Sequence, residues 1–308
     1  MRVCRVCLWV GKFVFNERPV TQLVQITMPR QSKPSAKFKR AKARHLLFTA
    51  GPNRLSRGRL FKKHFDQSIH LHEREIHSAR WPSAFDGLRI GHVSDFHLGD
   101  LMPLDMALNA VDLLASQEPD IVVCTGDVVD LHVEGALPLL EAMSNINAPL
   151  GTMLVLGNHD ELDCARTLSR LAQKAGVTLL RDASCQINHN GNTLNVAGVD
   201  WAKTAKQCKK KVERVCDSDT HLLLSHNPKA FRVASKIGVP LTLSGHTHGG
   251  QLAIPNKKNA NLAVAHRYSA GLYERGDSRL FVTVGVGSWF PLRVNCPAEV
   301  AMITATSN

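Results

Sequence analysis

The sequence predicts a layered α/β fold preceded by a basic, disordered or loosely helical N-terminal extension, and three observations carry that prediction. Apolar runs of strand length recur along residues 81–308, and five of them break at once into a polar turn bearing Asp, His or Asn. Segments between the early runs repeat apolar residues at spacings of three and four, the period of an amphipathic helix. Charge is divided: residues 1–80 hold 18 Lys and Arg against 4 acidic residues, a net +14, whereas residues 81–308 come to −2.

At 308 residues the chain is long enough for one large α/β domain with extensions and a substantial core. The overall charge of +12 therefore belongs to the arm, and the body carries no excess of positive charge suited to a nucleic-acid groove. Eight cysteines are scattered through a chain too long for a disulfide-stapled scaffold, which fits reduced thiols and a cytoplasmic protein. Cys4 and Cys7 have zinc or redox spacing but no second Cys/His pair nearby to complete four ligands. The run from Val6 to Gly11 is too short to span a bilayer.

Along the chain, Arg18 to Phe65 contains no acidic residue and includes the dense cluster SKPSAKFKRAKARH from Ser32 to His45. Ile69 to Pro82 is an extended lead-in, and Pro82 and Gly87 put the boundary near residue 80: 1–80 extension, 81–308 folded domain. Leu88 to Val93 then runs into Ser94, Asp95, Phe96 and His97. Ile121 to Cys124 runs into Thr125, Gly126 and Asp127, and Met153 to Leu156 into Gly157, Asn158, His159 and Asp160. Leu222 to Leu224 leads to Ser225, His226 and Asn227. Leu241 to Leu243 leads to the loop SGHTHGGQ, Ser244 to Gln251. Leu104, Ala107, Leu108, Val111 and Leu114 mark one helix; Ala165, Leu168, Leu171 and Ala175 mark another. Alternating strands and helices of these lengths place the polar turns together at the carboxyl ends of the strands. Leu280 to Val284 and Val300 to Ile303 are added strands, expected to be antiparallel.

Two histidines one residue apart, framed by glycines, can bring imidazole nitrogens to a metal, since glycine lets the backbone turn sharply beside an ion. Each turn alone also has a plain reading. Asp95 and Asp127 could cap helices, Asn158 and Asp160 could form turns, and His226 could be a satisfied buried histidine. Five such turns on one edge are not independent accidents. Two cations roughly 3.5 to 4 Å apart need a carboxylate between them, for which Asp127 is the natural bridge. Donors limited to Asp, His and Asn suit Mn, Fe, Ni, Co or Zn.

Together, DFHLG (Asp95 to Gly99), GDVVD (Gly126 to Asp130), GNHD (Gly157 to Asp160), SHNP (Ser225 to Pro228) and GHTHGGQ (Gly245 to Gln251) resemble the calcineurin-like metallophosphoesterases, with all five motifs in the family's order. RYSAGLY (Arg267 to Tyr273) and GVGSWFPLRVNCPAEV (Gly285 to Val300) resemble the bacterial YaeI/YkuE-type phosphodiesterase branch, relatives of enzymes acting on UDP-diacylglucosamine. The resemblance spans Leu88 to Ile303 and does not reach the basic arm. It implies a four-layer α/β/β/α sandwich. It implies one metal held by Asp95, His97, Asp127 and His248, a second held by Asp127, Asn158, His226 and His246, and a catalytic, non-ligand role for His159. Val284 is a departure, because many members of this branch carry arginine there.

The expected reaction is hydrolysis of a phosphodiester or pyrophosphate bond, with a lipid-linked or nucleotide-sugar substrate in view. Metal coordination lowers the pKa of water from about 15.7 toward 7 and so supplies a hydroxide nucleophile. His159 stabilises charge or protonates the leaving alkoxide. Arg293 is either a phosphate clamp or a structural ion-pair partner of Glu299. Three other readings stay open: a phosphomonoesterase, a nucleic-acid-processing phosphodiesterase using the basic arm, and a non-catalytic metal-binding scaffold, although no ligand is missing. The arm's Lys and Arg interleaved with Leu46, Leu47, Phe48, Leu60 and Phe61 resemble a membrane-surface segment, which would make the protein peripheral on the inner face of an anionic membrane. A solvated tail, with translation starting at Met28, is the plain alternative.

Overall fold

The computed structural model describes residues 34–162, 164–254 and 266–307. Cys4, Cys7, the Val6 to Gly11 run and Met28 lie outside the described residues. Twelve described strands form two six-stranded sheets. The first has the order β1-β12-β2-β3-β4-β5, with β1 His70–His77, β2 Leu88–Val93, β3 Ile121–Cys124, β4 Thr152–Leu154, β5 Thr178–Leu179 and β12 Glu299–Thr306. The second has the order β10-β11-β9-β8-β7-β6, with β6 Ala183–His189, β7 Asn192–Val199, β8 Leu222–Ser225, β9 Leu241–Ser244, β10 Gly271–Arg275 and β11 Ser278–Val282.

Four layers follow from where the apolar side chains go. Helices α4 (Leu104–Ala115), α5 (Ala136–Ser144) and α6 (Ala165–Lys174) bury Ala107, Val111, Leu114, Leu139, Leu140 and Leu168 against the outer face of the first sheet. Strand residues of the opposite parity, Ile90, Val123 and Val155, meet Leu222, Leu224, Leu243 and Phe281 between the sheets. Each such fully buried side chain contributes on the order of 1.5 to 3 kcal/mol of transfer free energy. Helices α7 (Ala205–Val215) and α8 (Phe231–Ile237) close the outer face of the second sheet through Val212, Val233 and Ala234 on Ala197, Val199 and Leu223. The fold is thus the expected α/β/β/α sandwich. Strands β2, β3 and β4 are mutually parallel, as are β8 and β9, so the carboxyl ends within each set share an edge.

Three features differ from the sequence expectation. The late strands are not purely antiparallel. β11 is antiparallel to β10 but parallel to β9, and β12 is antiparallel to β2 but parallel to β1. Second, the compact unit starts at Pro34, ahead of the boundary expected near residue 80. β1 aligns in register with β12 from His70↔Glu299 to His77↔Thr306, filling what would otherwise be an open sheet edge. Third, the described part of the basic segment is ordered helix: α1 (Ala36–His45), a π-helical turn (Leu46–Ala50), α2 (Gly51–Leu55) and α3 (Arg59–Phe65). Ser35 caps α1 by accepting from the Phe38 N–H at 3.1 Å, and Phe38 and Ala41 are buried. Phe38 sits edge-on to His132, Thr49 donates to the Trp289 carbonyl, and His64 bonds the Leu101 carbonyl. These contacts seat the helices on the sandwich.

Candidate metal centre

The five polar turns converge where the carboxyl ends of β2, β3, β4, β8 and β9 meet. Neither Asp95 nor Asp127 caps a helix, since the N-cap positions of α4 and α5 are Pro103 and Gly135. Both carboxylates are buried and face histidines. His248 Nε2 lies 3.2 Å and His226 Nε2 4.0 Å from Asp95 Oδ1, and His226 Nε2 lies 3.2 Å from Asp127 Oδ2. His97 Nε2 is 3.5 Å from Asp127 Oδ2 and 3.1 Å from His248 Nε2. Asn158 Oδ1 stands 3.2 Å from His226 Nε2. Three donor groups result among the described residues, Asp95 with His97 and His248, Asp127 with His226 and His246, and His97 with Asp130 and His159, each with its ligand atoms within 4.8 Å of one another.

Backbone geometry supports a functional reading. Asp95, His97, Asp127, His246 and His248 all have positive φ, between 49° and 73°, a region costly for non-glycine residues. Such strain persists only where the surroundings fix it. Gly157 and Gly245 allow the turns to close up: a Cβ would stand 2.1 Å from Asp127 Oδ1 at the first and 2.1 Å from Ser94 Oγ at the second.

Hydrogen bonding selects the tautomer of a buried imidazole. His226 Nδ1 donates to the Thr125 carbonyl at 2.8 Å, which leaves the Nε2 lone pair facing Asp127 and Asn158. The His246 backbone N–H donates to both Asp95 oxygens, at 3.1 and 2.9 Å, and the His159 N–H donates to Asp127 Oδ1 at 2.7 Å. Asp160 is the turn former of its motif, accepting from the N–H groups of Gly157 and Val129. Burial opposes ionisation of Asp95 and Asp127, but the neighbouring histidines outweigh it and hold both carboxyls low. Burial also lowers the pKa of His248, to about 4, and that of His246. Buried carboxylates beside imidazole nitrogens, with no thiolate among the described donors, form a set that fits borderline divalent cations.

His159 lies beside these groups and is held at both ring nitrogens. Nδ1 donates to Asp130, 2.9 Å from Oδ1 and 3.0 Å from the backbone carbonyl, and Nε2 is 3.1 Å from Arg44 Nη2. Burial disfavours its protonated form, but the Asp127 charge and the Asp130 hydrogen bond and charge push its pKa up to about 9. A protonated ring would turn an N–H toward the guanidinium, so the Arg44 contact belongs to the neutral tautomer. Cations at the donor groups would offset the carboxylate charge and lower that pKa.

Sequence reasoning gave Asp130, Arg44 and His45 no role. Asp130 was in view within GDVVD. Its carboxylate also approaches His97 Nδ1 at 3.6 Å and His45 Nδ1 at 3.5 Å, and His45 Nε2 bonds Asp100 at 3.0 Å. Arg44 and His45 arrive on α1, and no local signal in a basic run could have placed them here. Arg293 departs from both expectations. Its guanidinium is buried, bonded to Ser288 Oγ and to the carbonyls of Cys296, Val284, Gly285 and Gly287, with Nη2 3.5 Å from His248 Nδ1. Glu299 instead bonds His72 and Thr283. Arg293 is thus a clamp on the loop behind His248, with its donors used before any phosphate could reach them.

A model of the family described as calcineurin-like phosphoesterase matches residues 88–250. The chain is 29% identical over 249 residues to the uncharacterized metallophosphoesterase YkuE of Bacillus subtilis, covering 78% of this chain and 86% of that protein. It is 32% identical over 226 residues to an uncharacterized metallophosphoesterase of Aquifex aeolicus, covering 70% and 84%. It is 31% identical over 227 residues to the phosphodiesterase YaeI of Escherichia coli, covering 70% and 81%.

Proposed function

The chain belongs to the calcineurin-like phosphoesterase family, and from that premise we propose that it is a two-metal phosphodiesterase acting on a phosphodiester or pyrophosphate bond, of a lipid-linked or nucleotide-sugar substrate. The observation that carries this reading is the convergence of the Asp95–His97–His248 and Asp127–His226–His246 donor groups, with His159 beside them and held by Asp130. In this reading Asp95, His97, Asp127 and His248 hold one cation, and Asp127, Asn158, His226 and His246 hold the other, with Asp127 shared. Mn, Fe, Ni, Co and Zn all suit these donors. The cations would supply Lewis acidity toward the phosphoryl oxygens and a nucleophile from water at neutral pH.

The chain's own residues do the rest. The Thr125 carbonyl fixes the orientation of His226. His159 directs Nε2 at the leaving oxygen and gives it a proton, a role that typically contributes about 10²- to 10⁴-fold. Asp130 holds Nδ1, sets the tautomer and stabilises the charged ring. The test is turnover of bis-p-nitrophenyl phosphate, p-nitrophenyl phosphate and a nucleotide-sugar lipid with Mn, Ni, Zn and Mg. Diester turnover above monoester is expected. A monoester preference with every metal would overturn the phosphodiesterase assignment, and no turnover at all would favour a metal-binding scaffold.

We further propose that the basic helices meet an anionic membrane surface from the cytoplasmic side. Leu46, Leu47, Phe48 and Leu55 are 51 to 88% exposed on a segment, residues 34–65, that carries no acidic residue. Among the described residues no helix is long and apolar enough to cross a membrane. Cys124, Cys185, Cys208 and Cys216 are free thiols, in keeping with a reducing compartment.

A further inference from the structure

One face of α1 is unexplained by the packing that seats the helix. Phe38, Ala41 and His45 point into the sandwich at spacings of three and four. Lys37, Arg40 and Arg44 repeat the same spacing one step away and form a neighbouring stripe. That stripe lines a cleft of about 610 Å³ whose other wall carries Lys203 and Lys211 and whose floor includes Asn158 and His159. Glu161 is the one carboxylate among the cleft's described lining residues. Lys211 is committed to Asp182 at 3.1 Å and to the Asp200 carbonyl at 3.2 Å. Lys37, Arg40, Arg44 and Lys203 have no carboxylate within ion-pair distance among the described residues. These four cations line one cleft in which Glu161, which feels the Lys37 charge, is the one carboxylate among the described lining residues, and the excess positive charge is one that an anion would offset.

The position of the cleft relative to the reaction is set by His159. Its Nε2, the atom that would give a proton to the leaving oxygen when the ring is protonated, meets Arg44 at 3.1 Å, and both residues line this cleft. Whatever departs with that oxygen lies between α1 and the Lys203 wall. We propose that α1 is part of the substrate-binding wall and that the Lys37, Arg40, Arg44 and Lys203 cluster is a second anion site, which binds a phosphate or carboxylate carried by the leaving group. The preferred substrates are then phosphoesters whose leaving group is itself charged. Three of the four cations, Lys37, Arg40 and Arg44, come from a segment outside the matched family region of residues 88–250, and Lys203 lies within it. The assignment of a leaving-group side rests on the phosphodiesterase reading; the anion site itself does not.

The test uses the full-length protein with metal and two phosphodiesters, 4-carboxyphenyl methyl phosphate and the same compound with its carboxyl group masked as the methyl ester, whose leaving phenols differ in that one charge. Charge-assisted contacts of about 1.5 kcal/mol or more correspond to a factor of ten or more. Lys37→Gln/Arg40→Gln, and separately Lys203→Gln on the opposite wall, should lower kcat/KM for the carboxylate at least about tenfold more than for the masked ester. Equal effects on the two substrates would overturn the proposal. A second readout, calorimetric titration with 4-phosphonobenzoate, a non-hydrolysable ligand with two anionic groups, should give at least about tenfold weaker binding to both variants. Unchanged affinity would overturn the anion site. Weakened affinity with no wild-type turnover of either ester would support the site and reject the phosphodiesterase reading instead. All three lysine and arginine positions are exposed, so the variants are expected to fold.

Discussion

Replacing Asp130 by Asn tests whether His159 works as a positioned acid. The carboxylate stands 2.9 Å from His159 Nδ1, while the Asp130 backbone carbonyl accepts from the same nitrogen at 3.0 Å. The amide oxygen of Asn can keep the hydrogen bond, and the backbone carbonyl keeps the tautomer, so ring orientation survives. The negative charge that stabilises the protonated ring is lost. Full loss of a general acid costs about 10² to 10⁴ in rate, and loss of an outer-shell partner costs about 10 to 100. With orientation backed by the main chain, Asp130→Asn should fall in the lower range: kcat for bis-p-nitrophenyl phosphate about 10- to 100-fold down, or roughly 1.4 to 2.7 kcal/mol on the barrier. Metal content should be unchanged, because Asp130 is absent from both proposed ligand sets. The assay is steady-state turnover at fixed Mn together with elemental analysis of the same sample. A kcat within threefold of wild type at full metal content would refute the positioning role. A rate loss that tracks metal loss would mean that Asp130 acts through His97, 3.6 Å away, rather than through His159.

Other outcomes follow from the same geometry. His159→Ala should retain both metals and lose about 10²- to 10⁴-fold in kcat, whereas Asp127→Ala should lose metal; elemental analysis showing a folded His159→Ala emptied of metal would contradict that division. Alkylation of the native protein should spare Cys208 and Cys216, whose thiols burial pushes up to about 11 and about 12; rapid modification of both without unfolding would contradict it. The full chain should co-sediment with anionic but not neutral liposomes and be released by salt, since each basic residue near such a surface contributes about 1 kcal/mol. Leu46→Ser/Leu47→Ser/Phe48→Ser should weaken that binding while leaving turnover of a soluble diester in place, and binding indifferent to lipid charge would defeat the idea.

What the sequence determined by itself is what short-range chemistry encodes. Strands β2 and β3 coincide with the strand-length runs read from the sequence, and β3, IVVC, is the apolar one, as a buried parallel strand covered on both faces must be. The five turns were legible for a related reason: a donor side chain, a glycine that permits close approach and the end of an apolar run all fall within a few residues. Even the β6–β7 hairpin was available locally in its Asn190-Gly191 turn, with φ of 51° and 76°, although the periodicity reading passed over it. What only the tertiary structure decided depends on residues far apart in the chain. The pairing of β1 with β12 joins segments more than two hundred residues apart, and nothing in HLHEREIH names its partner. Arg293 was ambiguous because a guanidinium serves a phosphate or a set of carbonyls equally well, and its four loop carbonyls and one hydroxyl come together only after the chain has folded. The basic segment offered charge and periodicity but no address. A helical face becomes part of a site only when a neighbouring stripe, here Phe38, Ala41 and His45, is buried against a surface that other elements have built, and that burial carries Arg44 to His159.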